Sequence, residues 1–469
     1  MIRYYLQLAR MRLRRNVWLT ALIVIAIAVG IASSMTVFTV LYTLSGDPIP
    51  WKSSRLYAPS LDINDPSARE SVDMKAYISA GIFSYTDAMA ISRARKALHQ
   101  AAMFPTRLPV KTADPSRLPE QVEAQATQGD LFTMFEVPFR FGGAWSSEEE
   151  EAHANVVVIA EDLAAHYFPG VNAVGHTLQI GTRDFRIVGV TGKWAPFPAF
   201  YDPLGITDAA KIRSGPQLFV PIETAVDHEF PPSGYNTGAN LGSVTSPAVV
   251  ALIAKEKARD PKLILRPLQI FFASPGLLES QLWVELPTAA DAQRYRQFLN
   301  GYAAEWQRRF GLPYKPVTQL RSMRQWLYLS PQTASMRKEF ERAGWVAFGF
   351  LLVCLVNATA LMLARFARRS GDLAVRRALG APRREIMVQC LVEAVVIGIL
   401  GGFLGLLLTF LGLQLERMSV PRQMERTVYL DWHLIAFTLA LALVATVGAG
   451  LYPAWRASRL QSTWELKSL

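Results

Sequence analysis

Four apolar stretches constrain the fold of this 469-residue chain more than any other feature of its sequence. A transmembrane α-helix needs about 20 consecutive, mostly apolar residues. Stretches of that kind predict membrane spans at 17–44, 343–363, 386–413 and 434–455. The first is too long for the apolar core of a typical signal peptide, so we expect it to stay in the protein as a membrane helix.

The segment between the first and second spans, residues 45–342, is long enough to form a large domain with its own core. Strand-like and helix-like runs follow one another there in mixed order, which is typical of an α+β domain. The predicted strands are 121–126, 155–160, 177–180, 185–190, 218–222 and 280–286. The predicted helices are 84–99, 162–167 and 289–310, followed by a stalk helix over 317–342. Pro331 should kink or interrupt that stalk.

The expected fold class is therefore a membrane protein with four transmembrane α-helices and a large extracytoplasmic α+β domain between the first and second spans. The net charge of +11 supports this, because the positive excess lies beside the apolar runs. Residues 1–44 carry +5, residues 45–342 are balanced, and residues 343–469 carry +6. This is the positive-inside pattern of a membrane protein, and it argues against nucleic-acid binding. It predicts three cytoplasmic segments and one short external loop: 1–16, 364–385 and 456–469 inside, and 414–433 outside.

The loop between the second and third spans holds seven arginines against two acids, Asp372 and Glu385. Its middle predicts a short helix over 372–379, with Asp372 suited to the positive end of the helix dipole. Gly380 can take the left-handed conformation that ends a helix, and Pro382 follows it. From charge alone, such a loop fixes topology and contacts anionic lipid headgroups.

The order of residues in this loop, ARRSGDLAVRRALGAPRREI, resembles the cytoplasmic loop of the FtsX/MacB-type ABC transporter permeases. In that family the pattern R-R-x-E-[IL]-x-[VL]-R-[RK]-A-[LM]-G-A forms a coupling helix that docks on the ATPase subunit. Asp372 stands where the family usually has Glu, which keeps the charge. The resemblance implies that the ATPase-coupling residues are Asp372, Leu373, Val375, Arg376, Arg377, Leu379 and Gly380.

Four segments of 45–342 resemble the external domain of the same family, in the same order. They are FSYTDAMAISRA, ATQGDLFTMFEVPFRFG, VVVIAEDLAAHYFPGVNAVGHTLQIGTRDFRIVGV and LFVPIETA, and YPAWRASR resembles the family's closing segment. The stretches 192–217 and 229–263 fit less well and indicate irregular loops or insertions. We expect the aromatic residues of the first to pack locally, with a partner surface as the alternative: Trp194, Phe197, Phe200 and Tyr201.

The third span contains one acid and a set of closely spaced glycines. For Glu393 we expect a structural hydrogen bond or pairing with a loop arginine, the alternative being a functional carboxylate inside the membrane. The glycines form two overlapping G-x-x-x-G spacings: Gly398, Gly401, Gly402 and Gly405. Such spacings permit close helix contact, either within the chain or across a dimer.

Motifs for nucleotide, metal or hydrolase chemistry are missing from this sequence. The nearest approach to a phosphate-binding loop, 189–193, is followed by Trp194, which cannot ligate Mg²⁺. The six histidines lack metal-ligand spacing, and the run 148–151 indicates a solvated loop. We therefore expect a non-catalytic subunit without a fused ATPase domain, which binds no cofactor or metal itself. ATP and Mg are expected on a partner ATPase.

The resemblance implies an inner-membrane permease with both termini in the cytoplasm. In such systems ATP-driven motion reaches the periplasmic domain and serves export or efflux from the periplasm or the outer leaflet. Implied partners are a separate ABC ATPase and a second permease, identical or paralogous; many members also use a periplasmic adaptor and an outer-membrane exit duct.

Three rivals stay open at this point. A lipoprotein-releasing permease shares the fold, although its loop more often has Met where Leu379 stands. An FtsX-like regulator of cell-wall hydrolases would transport nothing. A membrane receptor is disfavoured, because the longest predicted cytoplasmic piece is too short to fold alone.

Overall fold

The structure is a computed structural model, and it describes most of the chain. The described residues are 11, 17–44, 49, 51–63, 81–111, 118–194, 196, 200–201, 215–234, 236–237, 254, 267–273, 277–329, 331–368, 371, 375, 379–380, 382–419 and 432–459. Two compact units are present, one over residues 45–335 and the other over 1–44 together with 336–469. Most of the predicted segments 1–16 and 414–433, and the tail beyond residue 459, lie outside the described residues.

Four long helices belong to the second unit or run into it: α1 (Val17–Leu44), α10 (Pro331–Ala367), α11 (Arg383–Ser419) and α12 (Trp432–Ser458). Each contains a stretch long and apolar enough to cross a membrane: Val17–Thr39, Glu341–Ala367, Arg383–Leu415 and Ile435–Ser458. The large domain lies between the first and second of them in the chain. The expected fold class is therefore confirmed.

The remaining helices and all the strands belong to the large domain. Its helices are α2 (Tyr85–Arg93), α3 (Asp130–Met134), α4 (Ser147–Glu151), α5 (Glu161–Tyr167), α6 (Ile222–Asp227), α7 (Pro267–Ala273), α8 (Ala289–Phe310) and α9 (Met323–Leu329). Its strands are β1 (Leu56–Asp62), β2 (Ile82–Phe83), β3 (His99–Val110), β4 (Glu120–Thr127), β5 (Phe139–Gly142), β6 (Val156–Ala160), β7 (Thr177–Ile180), β8 (Arg183–Thr191), β9 (Leu218–Pro221), β10 (Asn236–Thr237), β11 (Leu277–Leu278), β12 (Ser280–Glu285) and β13 (Val317–Ser322).

Within the described residues, eleven of these strands form one mixed sheet with the order β13-β1-β12-β3-β4-β9-β6-β8-β5. Strand β2 also pairs with β12, and β7 pairs with β3 and β8. Most neighbours are antiparallel, whereas β4 with β9 and β6 with β8 are parallel. A mixed sheet with helices between its strands is the α+β arrangement that the sequence predicts.

The sheet is buried on both faces, which explains its continuous apolar strands. In β6, Val157 and Ile159 belong to one hydrophobic cluster, while Val156 and Val158 belong to another. Because side chains alternate between the faces of a strand, the two clusters lie on opposite faces of the sheet. Strand β12 behaves in the same way, with Trp283 on the second face. The sequence of a strand that is covered on both faces is a continuous apolar run and does not alternate between apolar and polar residues.

The second face is built largely from aromatic side chains. Phe135 makes ring contacts with Phe200 and Trp283, at centroid distances of 4.8 and 5.8 Å. Trp194 and Tyr201, from the stretch predicted as an irregular loop, pack in the same cluster. Local packing is therefore confirmed for Trp194, Phe200 and Tyr201, and Phe197 lies outside the described residues.

The predicted stalk helix over 317–342 is wrong in its first six residues. Residues 317–322 form β13, which pairs antiparallel with β1 along its whole length. Helix α9 follows and buries Trp326 in the aromatic cluster. The helical run is interrupted at Pro331, as predicted: α9 ends at Leu329 and α10 begins at Pro331, where the first helical position needs no backbone N–H donor.

Strand β3 occupies residues where we predicted the end of a helix and no strand. Helix α2 ends at Arg93, and Arg95 takes a positive φ of 47° before the strand begins at His99. Strand β3 was not predicted because it contains two prolines, which are rare inside sheets. Strand β12 pairs with β3 only as far as Met103, so Pro105 needs no N–H donor toward β12.

Helix α2 starts with the segment FSYTDA, and the structure shows what its polar residues do. Ser84 caps the helix, accepting a hydrogen bond from the Asp87 amide at 3.2 Å. The buried Asp87 carboxylate accepts hydrogen bonds from Tyr302 at 2.6 Å and Trp306 at 3.2 Å, both on α8. Burial raises the pKa of the Asp87 carboxyl, and these hydrogen bonds oppose that shift. The motif therefore joins α2 to α8 through a buried carboxyl group.

A second buried carboxyl, Glu279, lies beside the start of α2 and accepts a hydrogen bond from the Tyr85 amide at 2.6 Å. Burial raises its pKa well above the ordinary value. A carboxyl with a raised pKa favours the folded state while it is protonated. That contribution is lost as the pH rises from the ordinary pKa through the raised one.

We predict that Glu279→Gln makes the large domain less sensitive to rising pH. The amide keeps an oxygen for the Tyr85 N–H but carries no charge to bury, so the variant should gain stability relative to wild type as the pH rises above the ordinary carboxyl pKa. Thermal unfolding followed by tryptophan fluorescence measures this. Glu148→Gln, at an exposed position, is the control and should follow the wild-type profile. Parallel profiles for Glu279→Gln and wild type would contradict the prediction.

Candidate coupling site of the membrane helices

The predicted coupling loop lies between the end of α10 and the start of α11. In its described part, the Leu379 amide donates a hydrogen bond to the Val375 carbonyl at 3.0 Å, which is one turn of helix. Gly380 follows with a φ of +97°, in the region that favours glycine. Val375 and Leu379 are both exposed, Leu379 to 83%. The other predicted coupling residues lie outside the described residues: Asp372, Leu373, Arg376 and Arg377.

An exposed leucine and an exposed valine on one turn stand out in a loop that carries seven arginines. The turn presents apolar surface beside a run of basic residues, and this combination suits a contact with a protein partner. The geometry of Gly380 matches the predicted end of the short helix, while the roles of all seven residues stay predictions.

Arg365, the first of the seven arginines, lies within α10 and is almost fully buried. Its Nε atom is 4.0 Å from Glu393 Oε2 on α11, and its Nη1 atom donates a hydrogen bond to Thr20 Oγ1 on α1 at 2.9 Å. One guanidinium group thus contacts two other membrane helices. Loss of one member of a buried charge pair costs about 3–5 kcal/mol, because the other charge stays buried without compensation.

The glycines of α11 face two different neighbours in the same chain. A Cβ atom at Gly401 would lie 3.0 Å from Ile27 Cγ2, and one at Gly405 would lie 3.2 Å from Ile31 Cγ2, both on α1. Gly398 and Gly402 instead face α12, where the nearest atoms would be Thr446 Oγ1 at 2.6 Å and Ala442 Cβ at 2.9 Å. The two overlapping G-x-x-x-G spacings therefore serve two helix contacts within one chain.

Helix α10 packs on α1 at a glycine of α1, Gly30. A Cβ atom at Gly30 would lie 2.9 Å from Cys354 Cβ, and Ser34 Oγ donates a hydrogen bond to the Ala347 carbonyl at 3.1 Å. Helix α1 thus contacts both α10 and α11, the two helices that flank the predicted coupling loop. This arrangement was not foreseen from the sequence, although Gly30 in an apolar run is the signal that could have indicated it.

A polar cleft in the large domain, with a volume of 620 Å³, is a second candidate site. Its charged groups mostly pair with one another. Arg93 contacts Glu223 at 2.5 Å, and His153 lies 3.4 Å from Glu223 and 2.5 Å from Asp227. Among the residues that the structure describes, no group of three or more potential ligands could hold a metal ion. The cleft is therefore held together by ion pairs.

The acidic run beside this cleft is not the solvated loop that we predicted. Residues 147–151 form α4, which Ser146 and Glu149 start with a capping box. Glu150 accepts hydrogen bonds from the Gly129 amide at 3.0 Å and the Trp145 indole at 3.2 Å, and burial raises its pKa. The capping residue, Ser146, lies two positions before the run of glutamates, so the run by itself does not show the cap.

Four membrane-spanning helices with a sheet-rich domain between the first two define a multi-pass membrane protein with a large domain outside the spans. Two family models match the chain: the MacB-like periplasmic core domain over residues 20–260 and the FtsX-like permease C-terminal domain over residues 344–462. The chain therefore belongs to the MacB/FtsX-type ABC transporter permease family.

Several characterised relatives are similar over part of the chain. The macrolide export ATP-binding/permease protein MacB of Syntrophobacter fumaroxidans is 25% identical over 347 residues, which are 69% of this chain and 44% of that protein. The pyoverdine export ATP-binding/permease protein PvdT of Pseudomonas fluorescens is 34% identical over 125 residues, 27% of this chain and 18% of that protein. The chain spans less than half the length of these relatives.

The large domain is also similar to a solved structure, the periplasmic region of MacB from Actinobacillus actinomycetemcomitans. The two share 11% sequence identity with a TM-score of 0.33, and the match covers 62% of this chain and 95% of that one.

We predict that Gly402→Leu destabilises the helix bundle. The leucine side chain would collide with Ala442 on α12, and overpacking of this kind costs about 1–3 kcal/mol. Unfolding of the purified protein in detergent, followed by heat or by added denaturing detergent, measures the loss. Gly448→Leu is the matched control, because no heavy atom lies within 4 Å of a Cβ atom at that position. Equal stability of the two variants would show that the contact with α12 is not tight.

Proposed function

We propose that this chain is the non-catalytic permease subunit of an ABC transporter and transmits ATP-driven motion from its cytoplasmic loop to its large external domain. The observation that carries the proposal is that one arginine connects the two helices that flank the loop. Arg365 at the end of α10 contacts Glu393 on α11 and Thr20 on α1, so the loop is anchored to three helices at once. A force applied to the loop would move these helices together.

The helices that receive this force lead in sequence into the large domain. Helix α1 ends at Leu44, just before that domain, and α10 begins at Pro331, at its end. No nucleotide-binding motif occurs in the sequence, so ATP and Mg would bind to a separate ATPase subunit. The exposed Val375 and Leu379 and the basic residues of the loop would form the docking surface for it.

Export is the transport class that the relatives support, because two of them are named as exporters, one of macrolides and one of pyoverdine. We propose that this chain likewise serves export or efflux from the periplasm or outer leaflet, in the inner membrane. The complex would contain two permeases and two ATPases. A periplasmic adaptor and an outer-membrane duct would complete the path in a cell with two membranes.

The first test of this proposal is the topology, with both ends of the chain inside and residues 45–342 outside. A cysteine introduced at the exposed Ser147 should react with a membrane-impermeant maleimide in intact cells. The two native cysteines are buried, so they should add little background labelling. A cysteine at Ser370, in the loop, is the control and should react only after permeabilisation. Labelling with the reverse pattern would refute the topology and with it the proposed direction of transmission.

The second test concerns the two central arginines of the loop. Guanidinium groups form bidentate contacts with acidic groups of a partner, so Arg376→Glu together with Arg377→Glu should abolish docking of the ATPase. We expect stimulated hydrolysis and substrate movement to be lost while the permease stays folded and inserted. Both are measured after reconstitution of the permease with its partner ATPase.

The matched control makes the same charge change on the predicted outer side, with Arg422→Glu and Arg426→Glu in the short external loop. These variants should keep ATPase docking and stimulated hydrolysis. Full coupling in the Arg376/Arg377 variant would show that the loop does not dock on the ATPase as proposed.

A further inference from the structure

The polar cleft of the large domain contains a buried acceptor that lacks a donor. Gln100, near the start of β3, lines the cleft and is only 6% exposed. Its Nε2 atom donates a hydrogen bond to the Ser92 carbonyl near the end of α2, which fixes the orientation of the amide and leaves Oε1 as an acceptor. Among the described residues, Oε1 has no hydrogen-bond partner. A buried acceptor without a donor is costly, and a ligand in the cleft can supply that donor.

Carboxyl groups outnumber permanent cations on the walls of this cleft. Four carboxyl groups and two guanidinium groups are among its described lining residues: Asp130, Glu150, Glu151, Glu223, Arg93 and Arg95. Arg93 is already paired with Glu223 at 2.5 Å. Burial raises the pKa of the Glu150 carboxyl, and repulsion from Glu223 and Asp130 raises it further. The carboxyl groups therefore lie close enough to repel one another, and a bound cation would relieve that repulsion.

The acceptors of the cleft suit an extended cation better than a metal ion. No group of three potential ligands that could hold a metal ion occurs in the part of the chain that the structure describes. Glu150 Oε2 already accepts hydrogen bonds from the Gly129 amide at 3.0 Å and the Trp145 indole at 3.2 Å. Because the acceptors do not converge on one point, a cation that meets several of them needs separated charges.

The cleft also offers apolar contacts and enough room for a small organic molecule. Met89, Ala97 and Leu98 lie on its wall, and Leu98 is 60% exposed. Such side chains can pack against methylene groups, which are themselves apolar. The volume of 620 Å³ falls within the range of small-molecule sites, about 300–1,000 Å³.

We propose that this cleft binds a linear polyamine, a chain of methylene groups that carries two or more ammonium groups. One ammonium group would donate to Gln100 Oε1 and contact the Asp130 carboxylate, which is held beside Gln100 by the Gln100 amide at 3.1 Å. A second ammonium group would contact the exposed carboxylate of Glu151, and the methylene groups between them would pack on Leu98. The site belongs to the large domain alone and does not depend on docking of an ATPase.

The test is calorimetric titration of the full-length protein in detergent with spermidine, a linear triamine. Saturable binding is expected, and tetraethylene glycol, a chain of similar length without charge, should not bind. Glu151→Gln should weaken the binding of spermidine about twofold to fivefold, as expected for a solvent-exposed ion pair. Glu148→Gln is the matched control, because it makes the same charge change at an exposed position of the same helix, α4, outside the cleft. It should bind like wild type.

A second variant tests the buried acceptor. Gln100→Leu removes Oε1 and should weaken the binding of spermidine about tenfold or more, because a hydrogen bond to a charged group is lost. Thermal unfolding without spermidine shows whether this variant is folded. Added spermidine should raise the unfolding temperature of wild type and of Glu148→Gln, since a ligand that binds only the folded state stabilises it.

Several outcomes would overturn the site. They are the absence of saturable spermidine binding with a dissociation constant below about 1 mM, equal binding of tetraethylene glycol, or unchanged affinity in Glu151→Gln. Equal weakening by Glu148→Gln and Glu151→Gln would also refute it, because spermidine would then be responding to the general charge of the surface. Since Glu151 is exposed, these outcomes can be read even if Gln100→Leu fails to fold.

Discussion

The arrangement of the membrane helices depends on burying two opposite charges, Arg365 and Glu393, inside an apolar bundle. Neither charge could enter that environment by itself, so α10 and α11 have to meet at this depth. Thr20 on α1 supplies a further oxygen to the guanidinium group. The pair therefore specifies which helices are neighbours. Apolar packing specifies this poorly, because lipid and protein side chains are equally apolar.

Close packing at glycines then determines how near those helices come. The four closely spaced glycines of α11, from Gly398 to Gly405, divide between α1 and α12, so α11 packs closely on two other helices. A side chain larger than hydrogen at any of them would meet a neighbouring helix. The charge pair and the glycines act together, one selecting the partner and the other setting the distance.

Much of this could be read from the sequence, and the failures have definite causes. The spans, helix α8 and six strands were predicted within a few residues, because apolar periodicity and caps are local signals. Strand β3 was missed because Pro105 and Pro109 argue against a strand, and only the end of its neighbour β12 makes them acceptable. Strand β13 was taken for helix because its partner β1 lies more than 250 residues away in the chain. In the site, the glycines were found from their spacing, but which helix each one meets depends on the folded bundle.

Helix α10 has a mechanical property that follows from its length. Its 37 residues extend roughly 55 Å, whereas the hydrocarbon core of a bilayer is about 30 Å thick. Arg365 holds the helix near its last residue, and Cys354 and Ala347 contact α1 further along it. The residues from Ala347 back to Pro331 extend roughly 24 Å, so a tilt of about 5° at Ala347 would displace the end at Pro331 by roughly 2 Å, by the geometry of a rigid rod. A change of angle too small to disturb side-chain packing in the bundle would thus still move the far end of the same helix.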